Sequence, residues 1–299
     1  MSLLAKVTRG KVKKPHLVLI YGADGVGKSS FAAGFPDAIF LGSEDGTNNL
    51  DVARFPSLSN WDEVTKAVAE LTNEKHDYKT LVIDSLDWLE PMLHRSICER
   101  YNVKSIELAA GGYGKGYTEA LNGWIALKDQ LSGLREKLQM NVVLIGHAEI
   151  IPFNDPDAQT TYDRYQLKLH KKASAMWREY VDHVLFANFE IYAKKDGNKT
   201  RAYGEGARVL YTERRPGFDA KNRLGLQFSL PLSYDDFSKS CELAGDGNAE
   251  KLKEAIMVMV AELKDADLKQ KVVETVNKAG KNLQQLEAIQ NRLRIRLED

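Results

Sequence analysis

Eight consecutive residues, Gly22-Ala23-Asp24-Gly25-Val26-Gly27-Lys28-Ser29, carry the spacing of a phosphate-cradling P-loop. The glycines let successive backbone N–H groups curl around phosphate oxygens where a side chain would clash. The lysine of such a loop reaches the β- and γ-phosphates, and the hydroxyl after it ligates Mg²⁺. Lys28 and Ser29 hold those places, and Ser30 leads into the next element. A helix beginning there adds favourable partial charge for an anion. The expected ligands are therefore ATP and Mg²⁺. A Gly-rich turn between a strand and a helix is the bland alternative; the coincidence of strand, complete motif and helix argues against it.

Four further groups of residues are candidates for chemistry. Asp84 closes the apolar run Thr80-Leu81-Val82-Ile83, where a carboxylate after a P-loop unit holds Mg²⁺ through water. Glu44 follows the run Ala38-Ile39-Phe40-Leu41; it is the candidate to polarise the attacking water, with an exposed loop acid as the equal alternative. His147 ends Asn141-Val142-Val143-Leu144-Ile145-Gly146 and is either a sensor of the γ-phosphate or a structural histidine. The stretch from Arg208 to Arg223 is dense in cations. Arg208, Arg214, Arg215, Lys221 and Arg223 are candidates to reach a neighbouring subunit's nucleotide, and an ion-paired surface turn explains them equally well.

These residues need a scaffold. His16–Tyr21, Ala38–Leu41, Thr80–Ser85 and Asn141–His147 read as buried strands, with helices over roughly 86–101 and 117–139. Residues 182–193 and 201–212 read as strands joined at Asp196-Gly197-Asn198. Strands alternating with helices predict an α/β fold, a mostly parallel sheet with helices on both faces. Ligands in such sheets bind at the carboxyl ends of strands, where Glu44, Asp84 and His147 fall. Two long irregular stretches, 102–117 and 148–173, are expected at the same edge. Tyr113, Lys115 and Tyr117 in the first, and Arg164, Lys168, Lys171 and Lys172 in the second, mix cations with aromatics. That mixture suits stacking on single-stranded bases, and a solvated loop explains it nearly as well.

The composition bounds the rest. The 299 residues carry 42 basic and 42 acidic side chains, so polyanion binding has to come from local patches. Two cysteines, Cys98 and Cys241, argue for a reducing compartment and against a disulfide framework. His94 and Cys98 are better read as a core pair than as metal ligands. No apolar run is long enough to span a bilayer, and the start lacks a signal-peptide core, so a cytoplasmic protein is expected. The division expected is a basic arm over 1–15, an ATPase core over 16–240, and a helical segment over 247–299. In that segment Leu252, Ile256, Met259, Val260 and Leu263 form one apolar stripe, and Leu283, Leu286, Ile289, Leu293 and Leu297 form another.

On the P-loop, Glu44, Asp84, His147 and the Arg214–Arg223 segment, the chain resembles the RecA-like P-loop ATPases. More closely, it is similar to phage nucleotide-binding proteins of the single-strand-annealing group. The resemblance covers residues 12–232. It implies that Glu44 is the catalytic base and that the 102–117 and 148–173 stretches line a DNA channel in a ring or filament. The place of His147 is usually glutamine in RecA itself. The function so implied is a Mg²⁺-dependent ATPase that binds single-stranded DNA and assists annealing, recombination or repair, in the host cytoplasm if phage-encoded. Two other readings stand beside it. One is a nucleotide-gated module that recruits a single-strand-binding or replication protein without significant turnover. The other is a small-molecule kinase.

Overall fold

The structure, a computed structural model, describes residues 4, 7, 12–42, 47–155, 160–190, 192–196, 199–203, 206–245, 248–263, 265–280 and 282–298. In chain order it contains β1 (Leu17–Gly22), α1 (Lys28–Ala33), β2 (Ala38–Gly42), β3 (Ala53–Arg54), α2 (Trp61–Asn73), β4 (Thr80–Asp84), α3 (Leu86–Tyr101) and α4 (Lys115–Lys137). These are followed by β5 (Asn141–Phe153), β6 (Tyr162–Leu167), α5 (Lys171–Tyr180), β7 (His183–Phe189), β8 (Tyr192–Asp196), β9 (Lys199–Tyr203), β10 (Arg208–Tyr211) and β11 (Ser229–Pro231). Four helices end the chain: α6 (Tyr234–Gly245), α7 (Asn248–Glu262), α8 (Ala266–Ala279) and α9 (Leu283–Glu298).

The main sheet runs β3-β2-β4-β5-β1-β7-β10-β11. It is parallel from β3 through β7 and closes with two antiparallel strands. Every residue of β1 is buried, as expected of a parallel strand covered on both faces. The two faces sort by residue parity. Leu17, Leu19 and Tyr21 join the core beneath α2, α3, α4 and α5, whereas Val18 and Ile20 join the core beneath α1 and α6. Trp61, Trp124 and Trp177 meet edge to face in the first core and tie α2, α4 and α5 together. At the start of α2, Asn60 accepts from the Glu63 N–H at 3.0 Å while Glu63 accepts from the Ser59 N–H at 2.7 Å, satisfying two otherwise orphaned donors. The terminal helices have a core of their own, built from Ile256, Val260, Leu263, Val276, Ala279, Leu286 and Leu293.

Register brings the candidate residues level. Gly22 pairs with His147 of β5 on one side and Ala187 of β7 on the other, and Gly42 pairs with Asp84. Gly22 is required by close approach: a Cβ there would lie 1.9 Å from the Ala187 carbonyl oxygen.

Three expectations from sequence are corrected. The 148–173 stretch is not irregular. Its first part prolongs β5 to Phe153 and pairs antiparallel with β6, and its end opens α5. The alternation of Tyr162, Arg164 and Gln166 with their neighbours is a strand signal that basic and aromatic composition masked. The 102–117 stretch likewise contains a 3₁₀ turn over Ile106–Gly111, anchored by buried Ile106 and Ala109, before α4 begins. Also, 182–212 holds four strands, β7 to β10, and among the described residues β8 and β9 form a two-stranded sheet of their own. Residues 197 and 198 of the expected turn lie outside the described residues.

Candidate nucleotide site

Backbone geometry shapes the loop between β1 and α1. Gly27 sits at φ +108°, a conformation side chains disfavour, directly before the first turn of α1. The loop borders a cavity of about 420 Å³ lined by Gly25, Gly27, Lys28, Ser29, Ser30, Asp84 and His147. Gly22, Ala23, Asp24 and Val26 complete the turn, with Val26 buried in the core below. The helix α1 is only six residues long, so charge complementarity to an anion rests on the loop amides and Lys28 more than on a helix dipole.

The polar side chains are held in reach of that cavity. Lys28 Nζ donates to the carbonyl oxygens of Ala23 at 2.9 Å and Gly22 at 3.1 Å, so the ammonium lies inside the loop's curl. Ser29 Oγ donates to Asp84 Oδ2 at 2.7 Å. Hydroxyl and carboxylate thus converge from α1 and β4, the donor set a hard octahedral cation such as Mg²⁺ takes alongside phosphate and water. Burial pushes the Asp84 carboxyl above its ordinary value, with Ser29 and Lys28 pulling it back.

His147 is oriented by a residue the sequence reading did not single out. Asp87, on the first turn of α3, accepts from His147 Nδ1 at 2.8 Å and from the His147 N–H at 3.1 Å. That pair turns Nε2 toward the P-loop, 3.6 Å from Asp24 Oδ1. The Asp87 hydrogen bond raises the imidazole above its ordinary value, against burial, which lowers it. Burial raises Asp87, but its bonds to His147 outweigh this and hold it below its ordinary value. An acid three positions after the one that ends β4 was the available signal. In Asp87→Asn the amide N–H₂ would oppose Nδ1 and favour the other tautomer. The expected result is a roughly tenfold fall in turnover, the equivalent of one charge-assisted bond of about 1.5 kcal/mol made in the transition state. Nucleotide affinity, measured by titration with a fluorescent ATP analogue, is expected to stay within about twofold, since the bond is remote from the phosphates' amide cradle.

The cation candidates do not behave alike. Only Arg208 lines the P-loop cavity, reaching over from β10 so that Nη1 lies 3.1 Å from where a Gly27 Cβ would stand. It therefore faces its own chain's loop. Arg214 pairs with Asp219 at 3.7 Å, and Arg215 lies over the Phe228 ring and pairs with Glu213. Lys221 donates to the Arg178 carbonyl at 2.6 Å and Arg223 pairs with Asp182 at 3.2 Å, beside the amino end of β7. Arg54, which no motif marks, lines the same cavity as Lys28, with Nη2 donating to the Leu50 carbonyl at 2.7 Å. Glu44, the candidate base, lies outside the described residues.

The candidate DNA-facing residues also divide. Tyr113 is 97 % exposed, and Lys115, Lys168, Lys171 and Lys172 are exposed. Tyr117 is half-buried, stacked on His170 at 4.3 Å and donating to Glu107 at 2.7 Å, which joins the 102–117 stretch to the end of the β5–β6 hairpin. Arg164 is 3 % exposed, pairs with Asp219 and lies over the Phe153 ring. It is a structural brace of the hairpin and is corrected as a DNA contact, because its guanidinium is already committed inside the protein.

A β-strand feeding a phosphate loop, an acid-bearing strand separated from it by β5, and helices on both faces are the architecture of a P-loop NTPase. The family model described as an AAA domain matches residues 14–224, and the chain belongs to that family. A curated relative, the SPbeta prophage-derived uncharacterized protein YorG of Bacillus subtilis (strain 168), is 28% identical over 118 residues. That match covers 38% of this chain and 35% of YorG, so the chain spans about a third of its relative's length. Among solved structures, the crystal structure of the RadB recombinase aligns with 14% identity over 68% of this chain and 84% of its own, at a TM-score of 0.37. Among the described residues no helix is long and apolar enough to cross a membrane.

Proposed function

We propose that this chain is a phage-encoded, Mg²⁺-dependent ATPase that binds single-stranded DNA and assists its annealing or exchange as a homo-oligomeric ring or filament. The observation that carries the ATPase half is the 2.7 Å bond from Ser29 to Asp84 beside the Lys28 ammonium, at the mouth of the P-loop cavity. Ser29 and Asp84 are the residues that would hold Mg²⁺, which when bound neutralises phosphate charge. Lys28 moves from the loop carbonyls to the β- and γ-phosphates. Arg208 approaches the phosphates from the other side in cis. Glu44 orients the attacking water, and His147, aimed by Asp87, reads the γ-phosphate through Nε2. A cation contributed by a neighbouring subunit is sought among Arg214, Arg215, Lys221 and Arg223.

The DNA half is supported by the exposed Tyr113, Lys115, Lys168, Lys171 and Lys172 around the Tyr117–His170 stack. Tyr113 precedes α4 and Lys115 opens it, while Lys168 follows β6, its N–H on the His147 carbonyl at 2.9 Å, and Lys171 and Lys172 open α5. Aromatic faces stack on bases without sequence preference while lysines follow the backbone. Measuring phosphate release with single-stranded DNA, duplex DNA and no DNA tests both halves. Stimulation by single strands is the expected result. A negligible rate that DNA leaves unchanged would instead identify a nucleotide-gated module recruiting a single-strand-binding protein. Replacing Lys168, Lys171 and Lys172 together by Ala is expected to flatten the log–log dependence of affinity on salt by about 2, at roughly 0.7 per phosphate contact. A slope unchanged in fluorescence-anisotropy titrations would remove these lysines from the interface.

A further inference from the structure

We propose that His16, His183 and Cys241 form a second metal site, specific for Zn²⁺, at the edge of the sheet opposite the P-loop. His16 immediately precedes β1, His183 opens β7 and Cys241 lies on α6. One donor atom from each residue falls within 4.8 Å of the other two, and among the described residues no other set of three His, Cys, Asp or Glu side chains converges in this way. Val18 pairs with His183, whereas Gly22, at the other end of β1, opens the P-loop. The two sites therefore share a strand and not a residue.

Packing alone accounts for part of this cluster. Both imidazoles meet Phe237 edge to face, at 5.7 and 5.5 Å. It does not account for His183 Nδ1, which is buried without a hydrogen-bond partner in a residue only 2 % exposed. Leaving such a group unpaired costs on the order of 1–3 kcal/mol, which a coordinate bond removes. The surroundings keep both rings in the neutral, ligating form: burial lowers His16 and takes His183 down to about 3. Burial also pushes the Cys241 thiol up to about 12, so the thiol stays protonated until an ion arrives. On binding, the S–H bond breaks, its proton leaves to solvent and the S–Zn bond forms; nothing is oxidised or reduced.

The donor set selects the ion. Two imidazoles and one thiolate suit Zn²⁺, whereas Mg²⁺ and Ca²⁺ take oxygens. Arg135 and Arg223, which share Asp182, flank the site and disfavour ions held by charge alone. A tetrahedral ion with bonds of about 2.0–2.3 Å places its donors roughly 3.3–3.6 Å apart, so the three side chains close by about 1 Å. They border a cavity of about 510 Å³ that also touches Lys13, Ser238 and Glu242, which gives the ion a way in and leaves room for water as fourth ligand. Once bound, the ion would cross-link α6 to the strands on which the P-loop is built.

Cobalt(II) substitution tests the site in the full-length, chelator-treated protein without nucleotide. One equivalent of Co²⁺ is expected to produce a sulfur-to-cobalt charge-transfer band and tetrahedral d–d bands, both erased by Zn²⁺. Magnesium-type binding at Ser29 and Asp84 gives no sulfur band. Cys98→Ser is expected to keep the spectrum and Cys241→Ser to lose it. Should Cys241→Ser not fold by circular dichroism, His16→Asn at the half-buried position retains the sulfur and is expected to weaken binding by roughly 100-fold. Zn²⁺ is also expected to raise the melting temperature of the parent and not of Cys241→Ser. Absence of a sulfur band at equimolar Co²⁺, its survival in Cys241→Ser, or full affinity in His16→Asn would overturn the proposal.

Discussion

Lys28→Ala is expected to reduce ATP turnover by about 100- to 1,000-fold, the usual consequence of removing one preorganised charge from a developing phosphoryl transition state. The ammonium lies inside the loop, bonded to Ala23 and Gly22 carbonyls, and is the one buried cation at the cavity among the described residues. The other two arginines that line the cavity are exposed and held elsewhere: Arg208 approaches from β10, beyond Gly27, and Arg54 from β3, where it is bonded to the Leu50 carbonyl. The fold should survive, because the side chain's bonds are to the loop it serves and not to either hydrophobic core. Phosphate release measured beside a thermal melt separates the two effects. A variant that melts like the parent and hydrolyses ATP at the parent's rate would refute the nucleotide site.

Asp219→Ala is expected to cost about 3–5 kcal/mol of stability, the penalty for leaving a buried charge without its partner. Asp219 is the shared carboxylate of Arg164, Arg178 and Arg214, and its backbone is bonded to the Tyr21 hydroxyl at the end of β1. Arg164 has no access to water with which to replace it. Adding Arg164→Met to Asp219→Ala should restore part of the loss, since an apolar side chain over Phe153 needs no counter-charge. Urea unfolding of the single and double variants measures both quantities. Equal midpoints for parent and Asp219→Ala would show that the pairing carries no net stability.

How much of this was legible in the residues differs by element. The P-loop was legible because its chemistry is local: eight contiguous residues set their own backbone path and donor positions. The strands at 17–22, 80–84 and 141–147 were legible because strands buried on both faces are uninterrupted apolar runs. The β5–β6 hairpin was not. One face of β6 is filled by Arg164, whose burial depends on Asp219, fifty-five positions away in the chain. The helix over roughly 86–101 was legible, yet the role of Asp87 within it was not, since it exists only once β5 brings His147 alongside α3.

By itself the sequence determined the phosphate-binding chemistry, the α/β class and the all-helical character of the last fifty residues, since each follows from spacing and periodicity within a short window. Tertiary structure alone decided which cations are available. Arg208 faces its own P-loop, Arg164 is committed to Asp219, and His16, His183 and Cys241 meet across more than two hundred residues of chain. The physical reason is that a side chain's charge and donor capacity are set by its partners in space, and in a parallel sheet those partners arrive through long crossovers that no local pattern records.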